Sequence, residues 1–146
     1  MSKNKQAKAK QTPHPSKTPK ANEPTSDYDA YPAWRVSQLE LADLYGWHTV
    51  TADELKYIQE KLKSFETMTW REILASNGGS HRISSHQICK EAQERLEQIA
   101  KGTEELVSLR LEGKIRVWGV MRHGGVLSLL WYDPEHAVYP VSLKYT

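Results

Sequence analysis

Arg110 and Arg116 flank a Glu112-Gly113 turn signal inside a stretch where apolar and polar residues alternate. If that stretch is a β-hairpin, both guanidiniums stand on one face of neighbouring strands, and Lys114 and Arg122 extend the row. Cations spaced this way suit phosphate, and arginine adds a two-pronged donor geometry able to stabilise a pentavalent phosphorus in a transition state. A solvated strand face that merely happens to be basic would look the same. Further along, Asp133-Pro134-Glu135-His136-Ala137-Val138-Tyr139 places an acid, an imidazole and a phenol at the exit of an apolar strand. His136 is a candidate general acid or base, because an ordinary imidazole titrates at about 6.5. Tyr139 or Tyr132 could take the role if neighbouring cations lowered the phenol. Asp-Pro-Glu-His is equally good turn chemistry with Asp133 capping the bend, and both readings stay open.

Other groups are less specific. His81, His86 and Cys89 form an H-x4-H-x2-C spacing that lacks a fourth zinc ligand, so capping or packing is expected and no metal or cofactor. Trp70, Trp118 and Trp131 read mostly as core, although Trp118 shares the alternation face of Arg116 and could stack on a base. Lys114, Trp118, Arg122 and Lys144 complete a candidate RNA-binding set. No P-loop, dinucleotide fingerprint, nucleophile elbow or HExxH helix occurs.

These residues need elements to position them. Thr51-Ala52-Asp53-Glu54 matches a capping box, and Leu55, Ile58, Leu62 and Phe65 follow as one apolar stripe, predicting a helix. Leu41, Leu44 and Tyr45 suggest a shorter helix ended by Gly46, and Trp70, Ile73 and Leu74 another turn or two. Asn77-Gly78-Gly79-Ser80 is a loop. Ser84 or Ser85 could cap a further helix carrying Ile88, Ala92, Leu96 and Ile99, stopped by Gly102. The period then changes to two. Leu106–Leu111 and Lys114–Arg122 form the hairpin, Gly124-Gly125 turns the chain, and Val126–Tyr132 is a strand apolar on both faces. A last short strand is expected from Ala137 to Leu143, broken or at an edge because of Pro140. Helices first and a meander afterwards predict an α+β domain, two to three helices on one face of a small antiparallel sheet.

Length and composition bound the function. The 146 residues fit one domain, and a net charge of +2 conceals a division. Residues 1–30 hold six lysines against three acids and almost nothing apolar, so they read as a disordered basic leader, either an arm for RNA or ribosome or a plain solubilising segment. Residues 31–146 form the domain and net −1, which excludes a strongly basic globule. Within it, 51–105 has eight bases against ten acids and 106–146 five against three. No apolar run approaches the roughly 18–20 residues of a membrane span, and no apolar segment follows the lysines as in a secretory signal. One cysteine fits a reducing cytoplasm.

The helix Ser85–Ala100, then Leu106-Val-Ser-Leu-Arg-Leu-Glu-Gly-Lys-Ile-Arg-Val-Trp-Gly, an apolar strand and a short final strand together resemble the RelE/ParE-type bacterial toxin domain over about residues 51–146. The resemblance implies two or three helices on a four-stranded antiparallel sheet and neutralisation by a cognate antitoxin. It implies either an mRNA interferase acting in the ribosomal A site or, as in the ParE branch, a protein that poisons gyrase. By position it makes Arg110 and Arg116 the phosphate-binding pair and His136 and Tyr139 the C-terminal catalytic residues. The chemistry implied is metal-free attack by a ribose 2′-OH. The chain departs from that pattern in its length, its near-neutral domain and the added segment before Thr51. A regulatory protein whose sheet residues are only solvated is a third reading.

Overall fold

The computed structural model describes residues 27–75 and 77–140. In chain order these form a 3₁₀ turn at Asp27–Asp29, strand β1 (Ala33–Arg35), a second 3₁₀ turn at Trp47–Thr49, and helices α1 (Ala52–Phe65) and α2 (Trp70–Ala75). Strand β2 (His81–Ser84), helix α3 (Lys90–Ile99) and strands β3 (Glu105–Glu112), β4 (Ile115–Met121) and β5 (Val126–Asp133) follow. The sheet order is β1-β5-β4-β3-β2. Strand β1 runs parallel to β5 and every other neighbour pair is antiparallel. The class is α+β, with a mixed sheet of five strands among the described residues.

Local chemistry sets α1. Thr51 Oγ1 accepts from the Glu54 amide at 3.1 Å and Glu54 Oε1 accepts from the Thr51 amide at 2.8 Å, closing the capping box. Thr69 and Glu72 make the same exchange at the start of α2. Both helices bury their apolar stripes, Ile58 from one and Trp70 with Ile73 from the other, against Val107, Leu109, Val117, Leu127 and Leu129. Helix α3 lies on the opposite face. Its Ala92 and Leu96 pack with Ile83, Leu106, Trp118, Val120, Leu130 and Trp131.

The helices therefore cover two faces of the sheet, rather than the one face that the sequence predicts. The reason lies in β3–β5, whose alternate positions are apolar on both sides. A bulge adds to this. Trp118 pairs with Trp131 and Gly119 with Leu129, so Leu130 is the extra residue, and both Leu130 and Trp131 turn to the α3 side. Gly119 permits that approach, since a Cβ there would stand 2.6 Å from the Ser128 carbonyl oxygen.

Other boundaries differ too. Residues 36–46 form turns rather than a helix, with Leu41 66% exposed. The segment His81–Ser84 is an edge strand, and α3 begins at Lys90, later than the expected Ser85, because Ser84–Gln87 closes a turn first. Residues 27–30, assigned to the leader, pack on the domain: Asp27 Oδ1 accepts from the Gly124 amide at 3.0 Å. Residues 137–140 form no strand, while the rest of that expected strand, the leader's residues 1–26 and Lys144 lie outside the described residues. Among the described residues no helix is long and apolar enough to cross a membrane.

Candidate phosphate-binding site

The β3–β4 register sets Arg110 directly opposite Arg116, and the β4–β5 register sets Arg116 directly opposite Asp133. Arg110, Arg116 and Asp133 thus form one cross-strand row of roughly 10 Å on the α3 side of the sheet. Alongside runs a second row, His81, Ser108, Trp118 and Trp131. Helix α3 packs further along this face, and Arg110 is exposed while Arg116 is half-buried.

The two guanidiniums converge. Arg110 Nε donates to the Gly113 carbonyl oxygen at 3.3 Å and Arg116 Nη1 donates to the same oxygen at 2.7 Å. Arg116 Nη1 also reaches the Ile115 carbonyl at 3.2 Å. Among the described residues neither arginine lies in an ion pair, although Arg71, Arg82, Arg95 and Lys114 all do. Burial, and then the facing Arg110 charge, push the Arg116 guanidinium below its ordinary value, while Asp133 pulls it back. Arginine stays protonated regardless, so the pair presents two positive charges with unused donors.

Asp133 is 1% exposed and organises the chain that follows it. Its carboxylate accepts from Trp118 Nε1 at 3.1 Å, from the Ala137 amide at 2.8 Å and from the Val138 amide at 3.1 Å. This bend holds His136 in a left-handed conformation, φ 58°. Such a backbone is uncommon outside glycine, and histidine is among the residues that tolerate it. Lys114 Nζ pairs with Glu135 Oε1 at 2.7 Å and ties the hairpin turn to the bend. The His136 imidazole is lowered from the ordinary 6.5, first by burial and then by the Arg116 charge. Asp133 opposes the shift and His81 adds to it. His136 is consequently biased toward the neutral form, the one that accepts a proton.

The cluster comprises Arg110, Arg116 and His136 from the expected set, together with His81 and Asp133. His81 enters because β2 pairs it with Ser108, a long-range fact with no local signal beyond the histidine itself. Other expected members stand elsewhere. Trp118 is 0% exposed and donates to Asp133, so its ring has no free face for a base. Arg122 follows β4 about 20 Å from Arg116 along the strand and hydrogen-bonds Gln38. Lys114 is held by Glu135. Tyr139 packs its half-buried ring against the core on the α3 side. Tyr132 faces the other way and donates to Glu54 at 3.1 Å; burial, then Glu54, push its phenol up to about 12. Among the described residues no three His, Cys, Asp or Glu side chains gather as metal ligands. Cys89 instead lies 3.3 Å from the Tyr45 hydroxyl.

Searches against protein-family models, curated proteins and solved structures give no match for this chain.

Proposed function

We propose that this chain is a toxin-type endoribonuclease, an mRNA interferase of the RelE-like kind, whose site is the Arg110, Arg116 and His136 cluster. One observation carries the reading: two guanidiniums share a single carbonyl oxygen, neither is in an ion pair among the described residues, and burial with the Arg116 charge biases the His136 imidazole toward its neutral form. A phosphodiester supplies an anion to this pair, and an adjacent ribose supplies a hydroxyl for the imidazole to deprotonate. His136 takes the 2′-OH proton, the 2′-oxygen attacks the phosphorus in line, and Arg110 with Arg116 stabilises the charge on the phosphorane. The bond to the 5′-oxygen breaks, and an acid protonates that oxygen, leaving a 2′,3′-cyclic phosphate and a 5′-hydroxyl. His81, the second imidazole of the cluster, is assigned the acid role, and Tyr139 a packing role. Such a target places the chain in the cytoplasm, with mRNA and the ribosome as partners and an antitoxin to restrain it.

A specific observation favours a second reading. Val36, Leu39, Leu41, Trp47, Leu55 and Leu62 line an apolar groove of about 420 Å³ between α1 and the 36–50 segment. A surface of this kind fits a protein partner and suits a binding module that blocks a macromolecular target, such as gyrase, without cleavage. Expression of the chain, of Arg116→Gln and of His136→Asn distinguishes the two. The nuclease predicts growth arrest by the parent and relief by both variants at equal soluble protein. Arrest that survives both substitutions would favour the binding module.

A further inference from the structure

Beside the arginine pair lies a hollow of about 330 Å³, lined by Lys61, Phe65, Ile73, Ser80, Arg110, Glu112 and Gly113. That volume falls within the roughly 300–1,000 Å³ of small-ligand pockets. Its walls differ in chemistry. Phe65, the last residue of α1, gives an aromatic wall backed by the buried Ile73 and Leu111. Lys61 and Arg110 bring two cations to it, and Glu112 brings one acceptor-only carboxylate. The Arg110 side chain lies directly against the Gly79 backbone, where a Cβ would meet Arg110 Cδ at 2.7 Å. Ser80, buried behind it, accepts from the Arg110 amide at 3.0 Å and fixes the strand below the side chain.

We propose that this hollow binds a nucleobase, guanine in preference to uracil, with a flanking phosphate on Arg110. A planar base finds a stacking surface in the half-buried Phe65 ring. Guanine offers two adjacent N–H donors on its Watson–Crick edge to the paired oxygens of Glu112, whereas uracil offers one N–H between two carbonyls that the carboxylate repels. Arg110 belongs to both places: it lines the hollow and joins Arg116 at Gly113. The base therefore sits next to the phosphate at the arginine pair. This inference rests on reading Arg110 as a phosphate ligand, and it adds the neighbouring base and its identity.

Titration of the full chain with guanosine 5′-monophosphate and uridine 5′-monophosphate by calorimetry is the test. The expected result is guanosine monophosphate binding about tenfold tighter, the scale of one charge-assisted hydrogen bond. Glu112→Gln, an exposed substitution at a strand end, should abolish that ratio, while Phe65→Leu should weaken both nucleotides and keep it. Equal affinities in the parent, or a ratio untouched by Glu112→Gln, would overturn the proposal. A guanine-containing RNA trinucleotide that binds tighter than the mononucleotide identifies RNA as the source of the base; equal binding identifies a free nucleotide. Cleavage assays separate the two readings: base preference without RNA cleavage would sink only the nuclease, and cleavage without base preference only the hollow.

Discussion

Two positive charges directed at one carbonyl oxygen repel each other until an anion arrives, and this shapes what substitutions at Arg116 should do. Arg116→Gln removes a half-buried cation that burial and the facing Arg110 charge disfavour, so the free protein should lose little stability in urea melts. RNA cleavage should nevertheless fall by about 10²–10³, the cost of losing one donor to a developing oxyanion. His136 gives a prediction with a definite sign. Its conjugate acid is lowered from 6.5 by burial and by Arg116. The acidic limb of the rate profile should therefore lie below pH 6.5, and in Arg116→Gln it should move up, because the second cause is gone while burial remains. An NMR titration of His136 measures both directly.

At the level of elements, the sheet edge and the helices have separable roles. Thr51→Ala removes one half of the capping box and should cost about 1 kcal/mol in urea melts, with cleavage unchanged, since α1 begins on the face opposite the arginine pair. Trp118→Phe withdraws a donor from the buried Asp133 carboxylate and should cost about 1–3 kcal/mol, with cleavage falling as the bend holding His136 loosens. The contrast also explains what was legible in the sequence. Thr51 and Glu54, or Arg110 and Arg116 around Glu112-Gly113, are near neighbours in the chain, and spacing alone predicts their geometry. Strand β2 was hidden because four residues with one fully buried apolar side chain carry almost no periodic signal. The alternation that placed Trp118 beside Arg116 was sound. What covers Trp118 is not legible there, because α3 and the chain after Asp133 return to that face only through long-range contacts.

Across the whole molecule, the sheet is buried on two faces and the arginine pair occupies the margin that α3 leaves open. Its stability should carry the mark of His136. A histidine whose folded value is depressed favours the folded state fully above about pH 6.5, and that contribution is lost as pH falls through the lowered value, since the unfolded chain then binds the proton more readily. Urea midpoints should drop over that window, and His136→Asn, which suits the same left-handed backbone, should flatten the drop. The excess of acid in residues 51–105 and of base in 106–146 is consistent with an anionic polymer meeting the hairpin end and a protein partner meeting the groove beside α1. The central claim is that the cluster cuts RNA, and mapping RNA ends in cells after induction of the parent and of His136→Asn tests it most directly. New ends bearing 2′,3′-cyclic phosphates and 5′-hydroxyls with the parent, and none with His136→Asn, are predicted; growth arrest with intact transcripts would contradict it.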